Sequence, residues 1–306
     1  MKTLKLVPVN TSIGFIRYRK VAMALSSLLV IGSIVVFLAN GLNFGIDFRG
    51  GTLIEASSES AVDLATLRGR LGALDLGEVQ IQQFGKETDV LIRISEREGA
   101  IDASNNLSAV ERVRAELSSD FDVRRVEIVG PQVSAELIQT GILAVLAAIA
   151  SMLIYIWFRF EWQFSVGAVL ALVHDVALTI GLFALLQLDF NLSILAAILT
   201  IVGYSMNDTV VVYDRVRENL RKYKKMDLAE LLNIAINETL SRTVMTSVTT
   251  MLALLALYIL GGEVIRGFTF AMIWGVIVGT YSSIFIASPL LMLLGVKRDW
   301  SGTQVD

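Results

Sequence analysis

The 306-residue chain has no cysteine, one histidine and three prolines. Without cysteine there are no disulfides, no thiolate nucleophile and no cysteine-ligated zinc. A single histidine, His174, cannot build a multi-histidine metal site. So few prolines leave long helices almost uninterrupted. No G-x-x-x-x-G-K-[ST] stretch occurs, so the chain has no P-loop of its own. The net charge of −3 says little, because opposite charges are segregated along the sequence.

Apolar sequence is what the chain has in excess. Hydrophobic residues make up 54% of it, against about 45–50% in a soluble domain. They are gathered into runs, and apolar runs of about 18 residues or more read as membrane spans. Six such spans are expected, at Val21–Leu38, Ile138–Phe158, Phe164–Leu186, Ser193–Val212, Thr243–Leu260 and Phe268–Leu294. The first is longer than the apolar region of a signal peptide and leads into Ala39-Asn40-Gly41-Leu42, a poor cleavage site. It reads as an uncleaved first helix.

Lysines and arginines in short loops set the orientation. Lys2, Lys5, Arg17, Arg19 and Lys20 precede span one, and Arg159 follows span two. Arg215, Arg217, Arg221, Lys222, Lys224, Lys225 and Arg242 lie between spans four and five, with Lys297 and Arg298 after span six. The short loops of the opposite side carry only Arg266. The expected organisation is therefore a cytoplasmic tail and first span in residues 1–39, an external domain in 40–137, five spans in 138–295 and a cytoplasmic tail in 296–306. A multi-pass membrane protein is expected, with both termini cytoplasmic and residues 40–137 outside.

The external segment alternates strand and helix patterns. Thr52–Ala56 reads as a strand, and Ala61–Leu74 has helical spacing of Val62, Leu64, Leu67, Leu71 and Leu74. Val79–Ile81 and Val90–Ile94 read as two strands joined by a turn over Gly85–Asp89. Ser104–Leu117 is helical again, with Leu107, Val110, Val113 and Leu117 on one face, and Phe121–Val129 is a closing strand that ends at Pro131. The order β-α-β-β-α-β is that of an α+β ferredoxin-like fold. Its excess of acidic over basic residues argues against nucleic acid as a partner. Between spans four and five, residues 227–241 place Leu228, Leu231, Leu232, Ala235, Ile236 and Leu240 on one face, the pattern of an amphipathic helix on the cytoplasmic membrane surface.

Ionisable residues inside spans are expensive and are functional candidates by default. Asn207 and Asp208 sit in span four, with Asp208 roughly 22 Å from the helix's outer end at 1.5 Å per residue. Arg242, at the start of span five, lies roughly 28 Å from that helix's outer end, so an Asp208–Arg242 pair is geometrically possible. Arg242 could equally reach into the cytoplasmic interface. Thr243, Thr246, Ser247 and Thr250 follow it on one hydroxyl-lined face, which can serve a polar path or simple helix packing. His174 and Asp175 in span three lie roughly 18 Å deep. Histidine titrates near neutral pH, so the pair is a candidate for proton handling. As helix neighbours they are not expected to bond to each other. Gly267, Ala271, Gly275, Gly279, Ser283 and Ala287 recur every four residues in span six, a small-residue stripe for close helix packing. Gly45-Ile46-Asp47-Phe48-Arg49-Gly50-Gly51-Thr52 reads as a constrained linker rather than a phosphate site, since no helix start follows Gly51.

Three of these stretches resemble a known family. Phe44–Thr52 resembles the junction motif of the SecD/SecF family, part of the resistance–nodulation–division superfamily. Val202–Asn219 (Val-Gly-Tyr-Ser-Met-Asn-Asp-Thr-Val-Val-Val-Tyr-Asp-Arg-Val-Arg-Glu-Asn) resembles the span-four signature of its SecF branch, and Leu240–Ser247 the start of span five. The resemblance covers essentially the whole chain. It implies one six-helix half of a transporter-like pair completed by SecD, associated with the SecYEG channel and YajC. It implies use of the proton motive force to promote late translocation or release of unfolded preproteins, with no enzymatic activity and no cofactor. It also implies ion coupling through Asp208 and Arg242. A small-molecule exporter of the same superfamily would usually carry two six-helix halves in one chain. An intramembrane aspartyl protease is disfavoured because no G-x-G-D stretch accompanies Asp175 and Asp208. A scaffold subunit that couples to no ion remains the other alternative.

Overall fold

The computed structural model describes residues 11–74, 76–77, 79–95 and 103–296, leaving aside the side chains of 103–108. The expected tails at 1–10 and 297–306 and the side chain of Leu107 fall outside the described residues. The chain divides into two compact units. One comprises residues 44–143 with 189–192, and the other the remainder.

The first unit is an α+β sandwich. Its elements run β1 (Gly51–Ser58), α1 (Leu64–Gly72), β2 (Val79–Phe84), β3 (Lys86–Ile94), α2 (Ala103–Leu117) and β4 (Phe121–Val129). The sheet order is β2-β3-β1-β4 with every neighbour antiparallel, the ferredoxin-like arrangement. Period-two alternation sends Ile54, Ala56, Val90, Ile92 and Ile94 to the helix-covered face, where they meet Leu67, Leu71, Val113 and Leu117. Asp63 caps α1 by accepting the Ala65 amide at 2.9 Å. The β2–β3 turn is tighter than its composition suggests. Gly85 alone turns the chain at φ +78°, and β3 already begins at Lys86. Asp89 is therefore a strand residue, paired with Ser57 of β1, rather than part of a turn.

The membrane-type helices number six among the described residues. Span one covers Arg19–Asn40, span two Pro131–Arg159, span three Trp162–Leu186, span four Leu192–Lys222 and span five Leu228–Leu260. Span six runs Arg266–Ser282, continues as a π-helical turn at Ser283–Ala287, and ends at Ser288–Leu293. Span two starts seven residues before its apolar run, because Pro131 is well suited to open a helix. The expected boundary at residue 137 therefore falls inside a helix.

A second correction concerns residues 227–241. They form no separate surface helix, because span five is continuous from Leu228 to Leu260, with Asp227 capping it through the Ala229 amide at 2.9 Å. The apolar face Leu231, Leu232, Ala235, Ile236 and Leu240 is covered by protein, including Ile16 and Val216. The opposite edge grips the N-terminal segment. Asn237 accepts the Ile13 amide at 2.9 Å and donates to the Ile13 carbonyl at 2.9 Å. A side-chain amide thus pairs with one backbone residue as a neighbouring strand would.

The small-residue stripe of span six lies against span four. A Cβ added at Gly275 would stand 2.2 Å from Ile201 Cγ1, and one at Gly279 would stand 3.0 Å from Ser205 Cβ. Such contact brings the two backbones close and lets short hydroxyl side chains bond across the seam.

Candidate functional site

Two buried carboxylates lie within the membrane unit, and the structure treats them differently. Asp175 of span three is fully buried. Its Oδ2 accepts Ser205 Oγ of span four at 2.5 Å and Ser282 Oγ of span six at 2.7 Å. Its Oδ1 is 2.8 Å from His174 Nδ1. The sequence expectation that these neighbours do not bond is thus wrong. Adjacent helix positions diverge in direction, but the two side chains bend toward each other. His174 Nε2 is buried with no hydrogen-bond partner among the described residues. Its ring stacks at 6.3 Å on Tyr281, whose hydroxyl lies 3.0 Å from Ser26 Oγ of span one. The node therefore joins four helices. Ser205, Ser282, Tyr281 and Ser26 were not singled out from sequence.

Asp208 lies one helical turn beyond Ser205 and is also buried, but its Oδ2 has no hydrogen-bond partner among the described residues. Thr243 Oγ1 of span five is likewise buried without a partner. Arg242 is exposed on the membrane unit, and no ion pair within 4.0 Å joins it to Asp208 among the described residues. Asn207 is exposed as well. It continues an outward face of span four formed by Ser193, Ala196, Thr200 and Gly203, at three- and four-residue steps. Thr246 bonds back to the Arg242 carbonyl at 2.9 Å. Ser247 Oγ is 2.7 Å from Thr280 Oγ1 and so ties span five to span six. Ser283 Oγ donates to the Thr280 carbonyl at 3.0 Å, within its own helix.

The chemistry available is that of hydroxyls, carboxylates, one imidazole and one guanidinium. Among the described residues, no group of three or more His, Cys, Asp or Glu is placed to hold a metal ion. Among the described residues, no serine hydroxyl is hydrogen-bonded to the imidazole. Ser165 and Ser205, Ser282, Ser283 and Ser288 are the buried serines of spans three, four and six. The only imidazole bonds to Asp175.

Six helices long and apolar enough to span a membrane, carrying buried ionisable groups and joined to one α+β unit, define a multi-pass membrane protein of transporter-like build. Residues 35–62 match the SecD/SecF GG motif, and residues 109–297 match the C-terminal region of the protein-export membrane proteins SecD/SecF. The chain belongs to the SecD/SecF family. It is 49% identical over 306 residues to the protein translocase subunit SecF of Cereibacter sphaeroides, covering 96% of this chain and 93% of that one. It is 46% identical over 299 residues to SecF of Rickettsia felis, covering 96% of each. Among solved structures it matches SecDF of Thermus thermophilus, a translocon-associated membrane protein, with TM-score 0.85 and 40% identity. That match covers 94% of this chain and 39% of the SecDF chain. SecDF in a super-membrane-facing form matches with TM-score 0.69 and 38% identity at the same coverage.

Proposed function

We propose that this chain is an ion-coupled accessory subunit of the Sec export machinery. With SecD it uses the proton motive force to promote late translocation or release of preproteins on the periplasmic side of the inner membrane. The observation that carries this reading is Asp208, a carboxylate buried in the bundle with one oxygen left open. Buried polar atoms without partners call for an explanation. A site that takes up and gives back a proton supplies one. Each proton crossing the membrane supplies about 2.3 kcal/mol per 100 mV, enough to bias a two-state equilibrium in a coupled domain. In this reading Asp208 exchanges the proton and Arg242 is its movable counter-charge. Asn207, His174, Asp175, Thr243, Thr246 and Ser247 line the supporting polar path.

The polar outward face of span four, with Asn207 and Arg242 at the surface, supports a second helical half as partner. Lipid tails would leave those groups unsatisfied. SecD is the partner this reading assigns, with SecYEG, YajC and unfolded preproteins as further associates. The charge asymmetry of the short loops supports cytoplasmic termini and a periplasmic α+β unit.

The test is preprotein export in cells carrying Asp208→Asn, with membrane levels and co-purifying SecD measured in parallel. Loss of gradient-dependent export at normal level and normal pairing is the expected result. Unchanged export would remove the coupling role and leave a scaffold subunit.

A further inference from the structure

The acid of the glycine-rich junction has a partner far away in sequence. Asp47 Oδ2 accepts the backbone N–H of Leu192 at 2.9 Å, across 145 residues. Leu192 is the first residue of span four and groups with the α+β unit. The first amides of a helix have no acceptor within their own helix. A carboxylate there satisfies one of them and favours the positive end of the helix dipole.

The rest of the junction fixes that carboxylate in place. The Gly45 amide donates to the Phe190 carbonyl at 2.8 Å. Phe190 packs with Phe44 and Phe48 at centroid distances of 6.0 and 5.9 Å. Gln82 Nε2 donates to Asp189 at 3.0 Å, and Arg93 pairs with the same acid. At the other end of the loop, Gly51 has φ +110°, and a Cβ there would stand 2.3 Å from the Ile94 carbonyl oxygen. The glycines let the chain pass close under β3, and Asp47 is thereby held at the start of the helix.

We propose that Asp47 is a positioning residue, a remote cap that fixes the outer start of the helix carrying Asp208. Asp208 lies sixteen residues further on, about 24 Å along the axis. Capping itself does not depend on the coupling role of Asp208, whereas the consequence for export rests on that reading. A cap needs a short acceptor, not a charge. Asparagine keeps an oxygen at the same reach and therefore replaces the aspartate, while alanine, the shorter serine and the longer glutamate do not. A cation or charged-ligand site would show the reverse order.

The experiment is hydrogen exchange on the full-length chain with its partners in nanodiscs, comparing Asp47→Ala, Asp47→Asn, Asp47→Ser and Asp47→Glu, with export measured in the same strains. Amides of Leu192–Leu195 are expected to exchange about tenfold faster in Asp47→Ala. They are expected to stay near wild type in Asp47→Asn and to exchange faster in Asp47→Ser and Asp47→Glu, with export following the same order. If Asp47→Ala does not accumulate, the asparagine, serine and glutamate variants still decide. Unchanged exchange in Asp47→Ala, or rescue by glutamate but not by asparagine, would overturn the proposal. Faster exchange in Asp47→Ala combined with normal export in Asp208→Asn would uphold the cap and remove only the coupling reading.

Discussion

Asp175 is 0% exposed and Asp208 is 3% exposed, yet their surroundings differ. Asp175 is bonded on both oxygens, to side chains from three helices. Asp208 has an oxygen that bonds to none of the described residues. Burial alone therefore does not mark a mobile site. Bonds to both oxygens hold Asp175 in one geometry. Under the proposed reading Asp175 is frame, and Asp208, with an oxygen not so held, is the group that changes partners.

The sharpest break of that comparison is a paired replacement. Asp175→Asn turns one of two acceptor oxygens, one serving two serines and the other the imidazole, into a donor, and should cost about 3 kcal/mol of stability, the upper range for orphaned buried partners. Asp208→Asn should cost far less stability while losing gradient-dependent export. Thermal unfolding of both variants in detergent checks this, and equal losses would end the distinction. A smaller effect is expected at the seam the two carboxylates share. Gly275→Val pushes a side chain into Ile201 and should destabilise by about 2 kcal/mol, the usual cost of overpacking. Such a loss, measured by the same unfolding assay, should fall on the Asp175 side of the comparison and leave pairing with SecD intact.

The smallest effect concerns a third carboxylate, in the α+β unit. The Ser57 hydroxyl, 2.5 Å away, holds Asp89 below the usual carboxylate range, with Arg124 at 3.3 Å adding to it and burial opposing. A lowered folded value means the stabilisation is present above the ordinary carboxylate range and is lost as pH falls through the folded value. Asp89→Asn should therefore weaken β1–β3 protection by about 1 kcal/mol at neutral pH. That difference should fade on acidification below about pH 4. Hydrogen exchange of Ser57 and Val90 amides against pH is the readout.

The six spans and the β-α-β-β-α-β order could be read from the sequence because each rests on a strong period or a long run. The place of Asp208 within span four was likewise legible. The node around Asp175 could not be read that way. Spans three and six are apolar on nearly every side, so hydropathy does not say how each is rotated, and Ser205 and Ser282 looked no different from other hydroxyls. The continuity of span five was hidden for the opposite reason. Hydropathy changes at Arg242, but the backbone has no glycine or proline between Leu228 and Leu260 to stop it. Asp47 was placed in a linker because its acceptor role depends on Leu192, which no local pattern connects to it.

The wide turn at Ser283–Ala287 solves a problem of phase. Small residues spaced by four drift about 40° per step around a helix of 3.6 residues per turn, so the stripe that begins at Gly267 should wander off span four before it reaches Ala287. A π-helical turn winds more slowly and carries the late positions back, like a vernier reset partway along a scale. Ser283 and Ala287 both remain fully buried. Side-chain hydroxyls also donate to carbonyls of this turn, Tyr213 to Ala287 at 2.9 Å and Ser288 to Ser283 at 3.0 Å. Span six thus meets span four at Gly267, Gly275 and Gly279 and again at Ala287, and removing a single residue from that turn would swing its last third away from the seam.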